Sequence, residues 1–435
     1  MVPSGRSFVR APGEKVLGDR GVRVQHASFI LLLLSAAALS PVSAQQAPRN
    51  LTVAAAMDLA EKQNLDLVAA RAQRAVTLAG VRIAGERPNP SLSFGASRDA
   101  PHENALIDEP LEIGSKRERR IDVARQETAL TEADISALER RVRRNVRDAY
   151  FGLAHARAAT VQQADAVKLA DRLHDIAEAR FDAGDIPQLE VTQSELESAR
   201  AHANRQVAEQ EEKVALSDLN ALLNEPAGTD WDLGDALSAF AALPALADIL
   251  ARAGSSNAEI ARIAQEVKIE RSREALLEAE RIPNLGLQFG SDFNAPGVGP
   301  HSGGYEFGPR GQLSMELPIF SHNQGEIAQS IANAQALDDA LAAARRAADS
   351  EVESAYFDLA ARQVQAQLYH QAILPSSQHL EEMTEDSYRA GKANIITVLG
   401  AQRDVRQAAR DYLDSLLAVQ SAFSRLEEAV GASLD

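Results

Sequence analysis

Histidines and acidic residues are the side chains of this chain that could bind a cation. The nine histidines include no pair four residues apart and no HExxH motif, the spacings that place zinc ligands on one helix face. The sequence has no cysteine, which excludes thiolate metal sites, disulfides and a lipid-acylated N-terminal cysteine. His102 and His301 are expected in solvated loops rather than in a metal relay. No resident metal site is therefore predicted.

The C-terminal third of the chain carries an acidic run. It comprises Glu381, Glu382, Glu385 and Asp386. Such a run favours the solvated face of a helix, with a cation-attracting channel wall as the alternative. The sequence shows no serine nucleophile, no glycine-rich phosphate loop and no paired catalytic carboxylates, so neither an enzyme nor a bound cofactor is predicted.

The composition indicates long, closely packed helices. Hydrophobic residues make up 45% of the 435 residues but aromatic residues only 4%, and alanine supplies much of the apolar share. Small side chains let helices approach closely, which favours a helical assembly over a bulky globular core. The formal net charge of −17 disfavours nucleic acid as a partner, because phosphate binding requires basic surfaces.

The chain contains a repeat of about half its length. The segment RPNPSLSFG at 87–95 returns as RIPNLGLQFG at 281–290, with the two Phe-Gly pairs offset by 195. AYFGLA at 149–154 returns as AYFDLA at 355–360 with an offset of 206, and RFDAG at 180–184 returns as SYRAG at 387–391 with an offset of 207. We therefore expect two copies, each with a short helix, a strand pair and two very long helices.

Very long helices are the main structural elements predicted. No proline interrupts residues 115–181, which at about 1.5 Å per residue form a helix of roughly 100 Å. Apolar residues recur at the spacing of helix–helix seams in both copies: Leu169, Leu173, Ile176 and Ala177, then Val352, Tyr356 and Leu359. Turns at Gly184 and Gly391 are predicted to separate the two long helices of each copy.

Three short segments alternate apolar and polar residues with the period of a β-strand. They are 91–97, 285–290 and 312–317. A fourth segment, around 106–113, is interrupted by Asp108, Glu109 and Pro110 and gives a weaker signal. Such alternation fits either a surface hairpin of a soluble domain or membrane strands with one lipid-facing side.

The N-terminus has the composition of an export signal. Basic residues precede an apolar stretch at 27–39, and Val42-Ser43-Ala44 supplies small residues for cleavage before Gln45. This stretch is shorter than the about 20 residues that a spanning helix needs, although a membrane anchor is the alternative. The predicted organisation is a signal peptide at 1–44, a first repeat at 45–224, a loop-rich connector at 225–244 containing Trp231, and a second repeat at 245–435.

The strands of one chain cannot by themselves form a closed membrane sheet. An open sheet would leave its edge N–H and C=O groups unpaired in hydrocarbon, at several kcal/mol each. If the strands cross a membrane, several chains must therefore share one barrel as a ring. The residues alone leave open whether the ring holds two, three or four chains.

Two strand–helix junctions resemble those of a known family. The stretch EPLEIGSKR at 109–117 is similar to "PLELGGKR", and LPIFSHNQGEI at 317–327 is similar to "LPLFNRNQGNI". Both motifs are habitual in the heavy-metal, CzcC-like subgroup of the TolC-type outer-membrane efflux proteins. The resemblance, which covers residues 51–431, implies a mainly α-helical chain built from a duplicated half-repeat. It implies a long-helix α-barrel and a small membrane portion in which each chain adds four strands to a shared transmembrane β-barrel.

The resemblance also implies partners and a working end. The expected assembly is a homotrimer in outer-membrane lipid, whose periplasmic tube docks on a periplasmic adaptor (a membrane fusion protein) and an inner-membrane RND pump. The periplasmic tip, where the adaptor would dock, is expected at two turns: Gly184, Asp185, Ile186 and Pro187, then Gly391, Lys392, Ala393 and Asn394.

Acidic residues just inside the tip are a feature of TolC itself. Here the first copy has Glu190, but its counterpart at offset 207 is Thr397, and Gly400 stands where a second acid could. A gate or lumen acid that selects cations would therefore have to be Asp185 or Glu190.

These features together predict the outer-membrane exit duct of a tripartite, proton-driven efflux system in a Gram-negative bacterium. The expected cargo is divalent heavy-metal cations of the cobalt, zinc or cadmium type. Selectivity in such a passive channel comes from pore width and wall charge rather than from tight binding. The alternatives are a TolC-like duct for drugs or secreted polypeptides and, in another class, a soluble periplasmic coiled-coil scaffold.

Overall fold

The computed structural model describes residues 49–98, 103–235, 237, 243–294 and 306–434. The predicted signal peptide at 1–44, together with His102 and His301, lies outside these residues. Within them, both copies of the repeat can be followed from the first helix to the last.

Both copies have the same order of elements. The first comprises β1 Arg49–Leu51, α1 Val53–Gln63, α2 Leu65–Ala84, β2 Ser91–Ala96, β3 Glu103–Leu111, α3 Lys116–Asp182 and α4 Gln188–Leu223. The second comprises β4 Trp231–Leu233, α5 Leu246–Ser256, α6 Ala258–Glu280, β5 Leu285–Asn294, β6 Glu306–Met315, α7 Gln324–Leu368, a π-helical turn Tyr369–Ile373, α8 Leu374–Arg389 and α9 Ile395–Val430. The repeat boundaries at 45–224 and 245–435 stay predictions.

The single short helix predicted at the start of each copy is instead a pair of helices joined at an asparagine. Asn64 caps α2 and Asn257 caps α6, each accepting hydrogen bonds from the first backbone N–H groups of its helix. The same side chains donate across the fold, Asn64 to the Leu222 carbonyl at 3.0 Å and Asn257 to the Ala429 carbonyl at 2.9 Å. Each asparagine thus ties its helix pair to the end of the last helix of its copy.

The connector at 225–244 is not only loop. Its strand β4 pairs in parallel with β1, so that Trp231 lies opposite Arg49. The Trp231 indole is buried and donates to the Asn220 side chain at 2.7 Å. The connector therefore fastens the start of the described chain to the end of α4, which the sequence prediction of a loop missed.

The two hairpins join into one antiparallel sheet of four strands in the order β2-β3-β5-β6. β3 begins three residues before the predicted segment at 106–113 and ends at Leu111. β6 ends at Met315, so the last two residues of the predicted segment at 312–317 lie beyond the sheet. Apart from these shifts, all four predicted strands are present.

Pro110 lies inside β3 without breaking it. β2 pairs with β3 only as far as Asp108, whereas β5 continues to pair with β3 through Leu111. Pro110 therefore sits where β3 has a neighbour on one side only, and its missing N–H can point away from that neighbour. This local edge explains why the interrupted segment still forms a strand.

The junctions between sheet and helices hold several long side chains. Ser115 and Asn323 both have positive φ and precede α3 and α7. The buried Lys116 ammonium donates to the Asn284 side chain at 2.6 Å, which links the start of α3 to the strand β5. Arg117 donates to the Gly85 carbonyl at 2.5 Å, where a cation also complements the C-terminal end of α2. The junction motifs therefore fix the sheet to the helices.

The long helices differ between the copies. α3 runs for 67 residues, roughly 100 Å at about 1.5 Å per residue, as predicted. The equivalent helix of the second copy, predicted as one very long helix before the turn at Gly391, is divided by the π-helical turn into α7 and α8. Pro375 lies in the first turn of α8, and because proline has no N–H, the helical hydrogen-bond ladder loses a donor there.

The main core lies where both copies meet. Leu153, Val352, Leu359 and Leu426 are fully buried in it. Tyr150 is also fully buried; its hydroxyl donates to the Leu51 carbonyl at 2.9 Å and accepts from a backbone N–H of the connector. A separate, smaller core lies at the two predicted tip turns.

Candidate functional site

The two predicted tip turns have the same backbone conformation. Gly184 and Gly391 have φ of 80° and 71°, in the left-handed region that favours glycine. The amide of Asp185 donates to the Arg180 carbonyl at 2.9 Å, and the amide of Lys392 donates to the Ser387 carbonyl at 2.8 Å. These six-to-one hydrogen bonds close both helices with a Schellman motif.

The helices that leave the two turns begin differently. Pro187 precedes α4 and provides no side-chain cap. Asn394 precedes α9 and accepts from the Thr397 amide at 3.0 Å and from the Thr397 hydroxyl at 2.9 Å. Thr397, which stands where the first copy has Glu190, thus has a structural partner within its own turn.

A hydrophobic cluster brings the two turns together. Its buried members are Leu173, Ala177, Ile186, Tyr388, Ile395, Val398 and Leu399, and we call it the tip cluster. Ile186 belongs to the first predicted turn, and Ala393 of the second packs against the cluster. Two of the eight predicted turn residues therefore contribute to one small core that both copies share.

Tyr388 is the central aromatic residue of the tip cluster. Its side chain is 2% exposed, and the Arg180 guanidinium lies 4.8 Å from the ring centroid, within cation–π range. Burial raises the pKa of the Tyr388 hydroxyl; the Arg180 charge opposes this shift and the Glu190 charge adds to it. Sequence reasoning missed both Arg180 and Tyr388 as site residues. The available signal was the aromatic residue that precedes each turn, Phe181 and Tyr388.

The two acids predicted for a gate have different surroundings. Asp185 in the first turn is exposed, and Lys392 in the second turn is exposed as well. Glu190 is half-buried, and one of its carboxylate oxygens is enclosed without a hydrogen-bond partner among the described residues. Glu190 thus faces the interior of the tip region, while Asp185 faces solvent in a single chain.

A buried ion-pair network lies next to the tip cluster, between α4 and α9. The Glu197 carboxylate is 6% exposed and accepts from Arg403 at 2.9 Å and from Arg406 at 2.5 Å. Burial alone would raise the pKa of Glu197, but the two arginine hydrogen bonds outweigh it and hold the pKa below its ordinary value. This link between the copies was not predicted.

The acidic run on α8 is only partly solvated. Glu382 and Asp386 are exposed, and Arg389 forms ion pairs with Asp386 at 3.6 Å and with Glu385 at 2.6 Å. Glu381 is half-buried; burial and the neighbouring carboxylates of Glu385 and Glu382 raise its pKa, while Arg406 lowers it. Glu385 is also half-buried, so the favoured interpretation of a solvated face fits two of the four acids.

The sheet has one mainly apolar face, on which Glu103 and Glu109 of β3 also lie, and one polar face. Residues opposite each other in an antiparallel sheet share a face, and the register places Phe94, Ile107, Phe289 and Leu313 on one side. Of these, Phe94 is 76% and Leu313 65% exposed. The other face is polar and carries charged residues from β3, β5 and β6: Asp108, Asp292 and Arg310.

The described part of the chain offers little for resident metal binding. Among its residues, no group of three or more histidine and acidic side chains is arranged to hold a metal ion. Among the described residues, none of the helices combines the length and the apolar character that crossing a membrane requires.

Comparisons with known proteins agree with this geometry. The family model for outer membrane efflux proteins matches residues 56–225 and 249–432. The chain is 26% identical over 407 residues to the cobalt-zinc-cadmium resistance protein CzcC of Cupriavidus metallidurans, covering 90% of this chain and 92% of CzcC.

Solved structures show the same fold. A membrane protein from Pseudomonas aeruginosa superposes with a TM-score of 0.72 at 17% identity, covering 87% of this chain and 92% of that protein. A crystal structure of CusC, from a study of the conformational changes that accompany its folding and transmembrane channel formation, superposes with a TM-score of 0.70 at 18% identity. The superposition covers 88% of this chain and 92% of CusC. The similarity in structure therefore extends over nearly the whole described chain.

Proposed function

Because the chain belongs to the outer membrane efflux protein family, a family of transport proteins rather than enzymes, we propose that it is the exit duct of a tripartite, proton-driven efflux system. In this proposal the sheet lies in the outer membrane and the long helices form a tube in the periplasm. The duct itself is passive, and an inner-membrane RND pump supplies the driving force through a periplasmic adaptor.

The observation that carries the proposal is the two-faced sheet. Exposed Phe94, Phe289, Phe307 and Leu313 share the apolar face, which suits contact with lipid. The polar face carries Asp108, Asp292 and Arg310 and suits a water-filled lumen. Within one chain, β2 and β6 are the outer strands of this sheet, and their outer edges need partners in hydrocarbon. Sharing of one barrel by several chains satisfies them.

Exposed apolar stripes on the outer helices support a ring of copies. α3 packs between α4 and α9, and α9 packs in turn against α7 and α8, so α4 and the α7–α8 helix lie at opposite ends of this row. α4 exposes Leu189 and Leu196, then Val207 and Val214, in steps of seven residues. Phe357 and Val364 on α7 are exposed with the same step. Contact of α4 with the α7–α8 helix of a neighbour is head-to-tail and closes a ring. A homotrimer is the proposed ring.

The shared tip supports a docking and gating role for the two turns. Both turns are closed by the same type of backbone hydrogen bond, both belong to the same end of the helices, and the tip cluster joins them. We therefore propose that residues 184–187 and 391–394 form the periplasmic end that meets the adaptor. Glu190, enclosed beside Tyr388, is the better-placed gate acid, and Asp185 is the exposed one.

The proposed cargo is divalent heavy-metal cations. The support is the similarity to CzcC, whose name records resistance to cobalt, zinc and cadmium, together with the net charge of −17. Acidic walls attract cations without the tight binding that would slow release. A duct for drugs or secreted polypeptides is the alternative cargo within the same fold.

Membrane placement is tested by charge substitutions on the two faces of one strand. Phe289→Lys puts a charge on the lipid face and is expected to cost about 2–4 kcal/mol near the bilayer midplane, whereas Gln288→Lys, on the polar face, is the matched control. We expect loss of the assembled protein from the outer-membrane fraction for Phe289→Lys only. Recovery of most wild-type protein in the soluble periplasmic fraction would instead support the coiled-coil scaffold.

Cargo is tested by deleting the encoding sequence and measuring growth on cobalt, zinc, cadmium, copper and nickel salts and on a panel of drugs. The proposal expects sensitivity to one or more of the divalent metals, with restoration by the wild-type chain. Sensitivity confined to drugs would overturn the metal assignment while leaving the exit duct intact.

A further inference from the structure

A cavity of about 150 Å³ lies in the groove between α4 and α9. Four arginines line it, Arg200 from α4 and Arg403, Arg406 and Arg410 from α9. Glu197 contributes the carboxylate, and Gln163 of α3 and Asn204 of α4 contribute amides. We call this the arginine cavity.

The arginine cavity has more cationic groups than its own carboxylate can satisfy. Glu197 accepts from Arg403 and Arg406, and Nη1 of Arg200 lies 3.9 Å away. Arg410 donates to the neutral side chain of Gln407 at 2.8 Å. One carboxylate among four arginines leaves a formal charge of +3 on the lining, and arginine does not lose its charge in proteins.

The excess of +3 counts the lining alone, and further acids lie near it: Glu211 and Asp414 line a neighbouring pocket that also includes Asn204 and Arg410. Glu381 of α8 interacts electrostatically with Arg406. Arg406 also donates a hydrogen bond to Glu197, so its charge is already partly balanced. Each guanidinium presents five N–H donors in a fixed plane, so one hydrogen bond to Glu197 leaves most donors of Arg403 available. Arg200, Arg403 and Arg410 therefore present unused donors and positive charge at one cavity.

We propose that the arginine cavity binds a small tetrahedral oxyanion of the phosphate class. Oxyanions of this kind suit arginine because their oxygens match the planar fork of donors, and the resulting hydrogen bonds are charge-assisted. The cavity volume exceeds by several-fold the about 30 Å³ that one water molecule occupies, so a multi-atom anion fits. The bound anion bridges α4 of the first copy and α9 of the second, next to the tip. This binding site goes beyond the efflux role and does not depend on the cargo.

The proposal is tested by titrating inorganic phosphate into the purified, detergent-solubilised full chain at constant ionic strength, with binding measured by calorimetry. The variant Arg200→Gln/Arg410→Gln removes two cavity arginines and leaves the Glu197 hydrogen bonds intact. Because a hydrogen bond to a charged group contributes on the order of a tenfold effect, we expect at least about tenfold weaker binding. Arg205→Gln is the matched control, since Arg205 pairs with Glu209 on the exposed part of α4 and should leave binding unchanged.

A second variant separates geometric recognition from simple attraction. Arg200→Lys/Arg410→Lys keeps both charges but loses the planar donors, so we expect binding between that of wild type and that of the glutamine variant. If the glutamine pair fails to fold, each single substitution is measured instead, with weaker binding expected for both. No phosphate binding by the wild type, equal binding by the glutamine variant, or equal binding by the lysine variant would each overturn the proposed site. None of these outcomes bears on the exit-duct proposal.

Discussion

Replacing the two capping asparagines tests whether each copy is tied from its first helix pair to its last helix as the hydrogen bonds indicate. Asn64→Ala removes the cap of α2, worth about 1 kcal/mol. It also leaves the Leu222 carbonyl without its donor, at a further cost of about 1–3 kcal/mol. Because Leu222 is only partly buried, we expect a total of about 2–3 kcal/mol for Asn64→Ala. Asn257→Ala should cost about 2–4 kcal/mol, since its acceptor, the Ala429 carbonyl, is in a buried residue.

Aspartate separates the two contributions. Asn64→Asp keeps the capping oxygen but loses the donor to Leu222, so it should cost about 1–2 kcal/mol, less than alanine. The assay is urea unfolding of the purified chain, followed by far-ultraviolet circular dichroism and compared at the transition midpoint. Asn145→Ala, an exposed position on α3, is the control and should stay within about 0.5 kcal/mol of wild type. Losses below about 0.5 kcal/mol for both Asn64→Ala and Asn257→Ala would refute the reasoning.

Three further predictions concern the tip. Gly184→Ala should destabilise the protein by about 1–2 kcal/mol through its positive φ alone, whereas Gly152→Ala within α3 should stabilise it by about 0.5–1 kcal/mol; thermal unfolding measures both. Tyr388→Ala should lower the free energy of unfolding by about 3–5 kcal/mol. Tyr388→Phe should stay within about 1 kcal/mol of wild type, because the ring and its contact with Arg180 remain. A large loss of stability for Tyr388→Phe would instead assign the stabilisation to the hydroxyl. Because the pKa of Glu381 is raised above its ordinary value, the native state binds its proton more tightly and stability falls as pH rises through that window. Glu381→Gln should therefore be more stable than wild type at pH 7, with the gain vanishing in acid below the ordinary carboxyl pKa, as unfolding at several pH values would reveal.

The helices and strands were readable from the sequence because their signals are local. The long helix predicted at 115–181 is observed at Lys116–Asp182, since an uninterrupted run without proline has no alternative stop. Both tip turns were located from a glycine at the point where helical sequence ends, and Gly184 and Gly391 do adopt positive φ. The alternation of apolar and polar residues likewise located three of the strands, and the weaker, interrupted segment at 106–113 located the fourth, with ends shifted by up to six residues.

The features that were missed depend on partners far along the chain. β1 and β4 are three residues each and pair across almost half the sequence, so neither shows a readable period. Glu197 finds Arg403 and Arg406 more than 200 residues away, and no local motif indicates that pairing. The capping asparagines were readable in principle, because each is followed two residues later by an acid, Asp66 and Glu259, at the start of a helix.

The site itself was predicted in outline only. Turns are present at the predicted positions, and their docking role stays a prediction; Asp185 and Glu190, considered together from their positions in sequence, have different surroundings. Tyr388 became a site residue only when packing placed it in the tip cluster under Arg180. Tertiary packing decides which side of a helix turns inward, and that information is spread over both copies.

The π-helical turn explains a small mismatch between the two copies. The second copy is offset from the first by 206 residues at Ala355 and by 207 at Ser387, so it is one residue longer in this interval. In an α-helix an added residue would rotate everything after it by about 100°. The π-helical turn at Tyr369–Ile373 absorbs the extra residue within a single wider turn.

That absorption keeps the later apolar side chains in line with the earlier ones. Val364 and Met383 are separated by 19 positions, and with one residue absorbed the remaining interval is about five complete turns, so both lie on the same side of the helix. Both are exposed, as is Phe357 one heptad before Val364. The second copy thus carries one residue more than the first without losing the phase of the surface that a neighbouring copy would contact in the proposed ring.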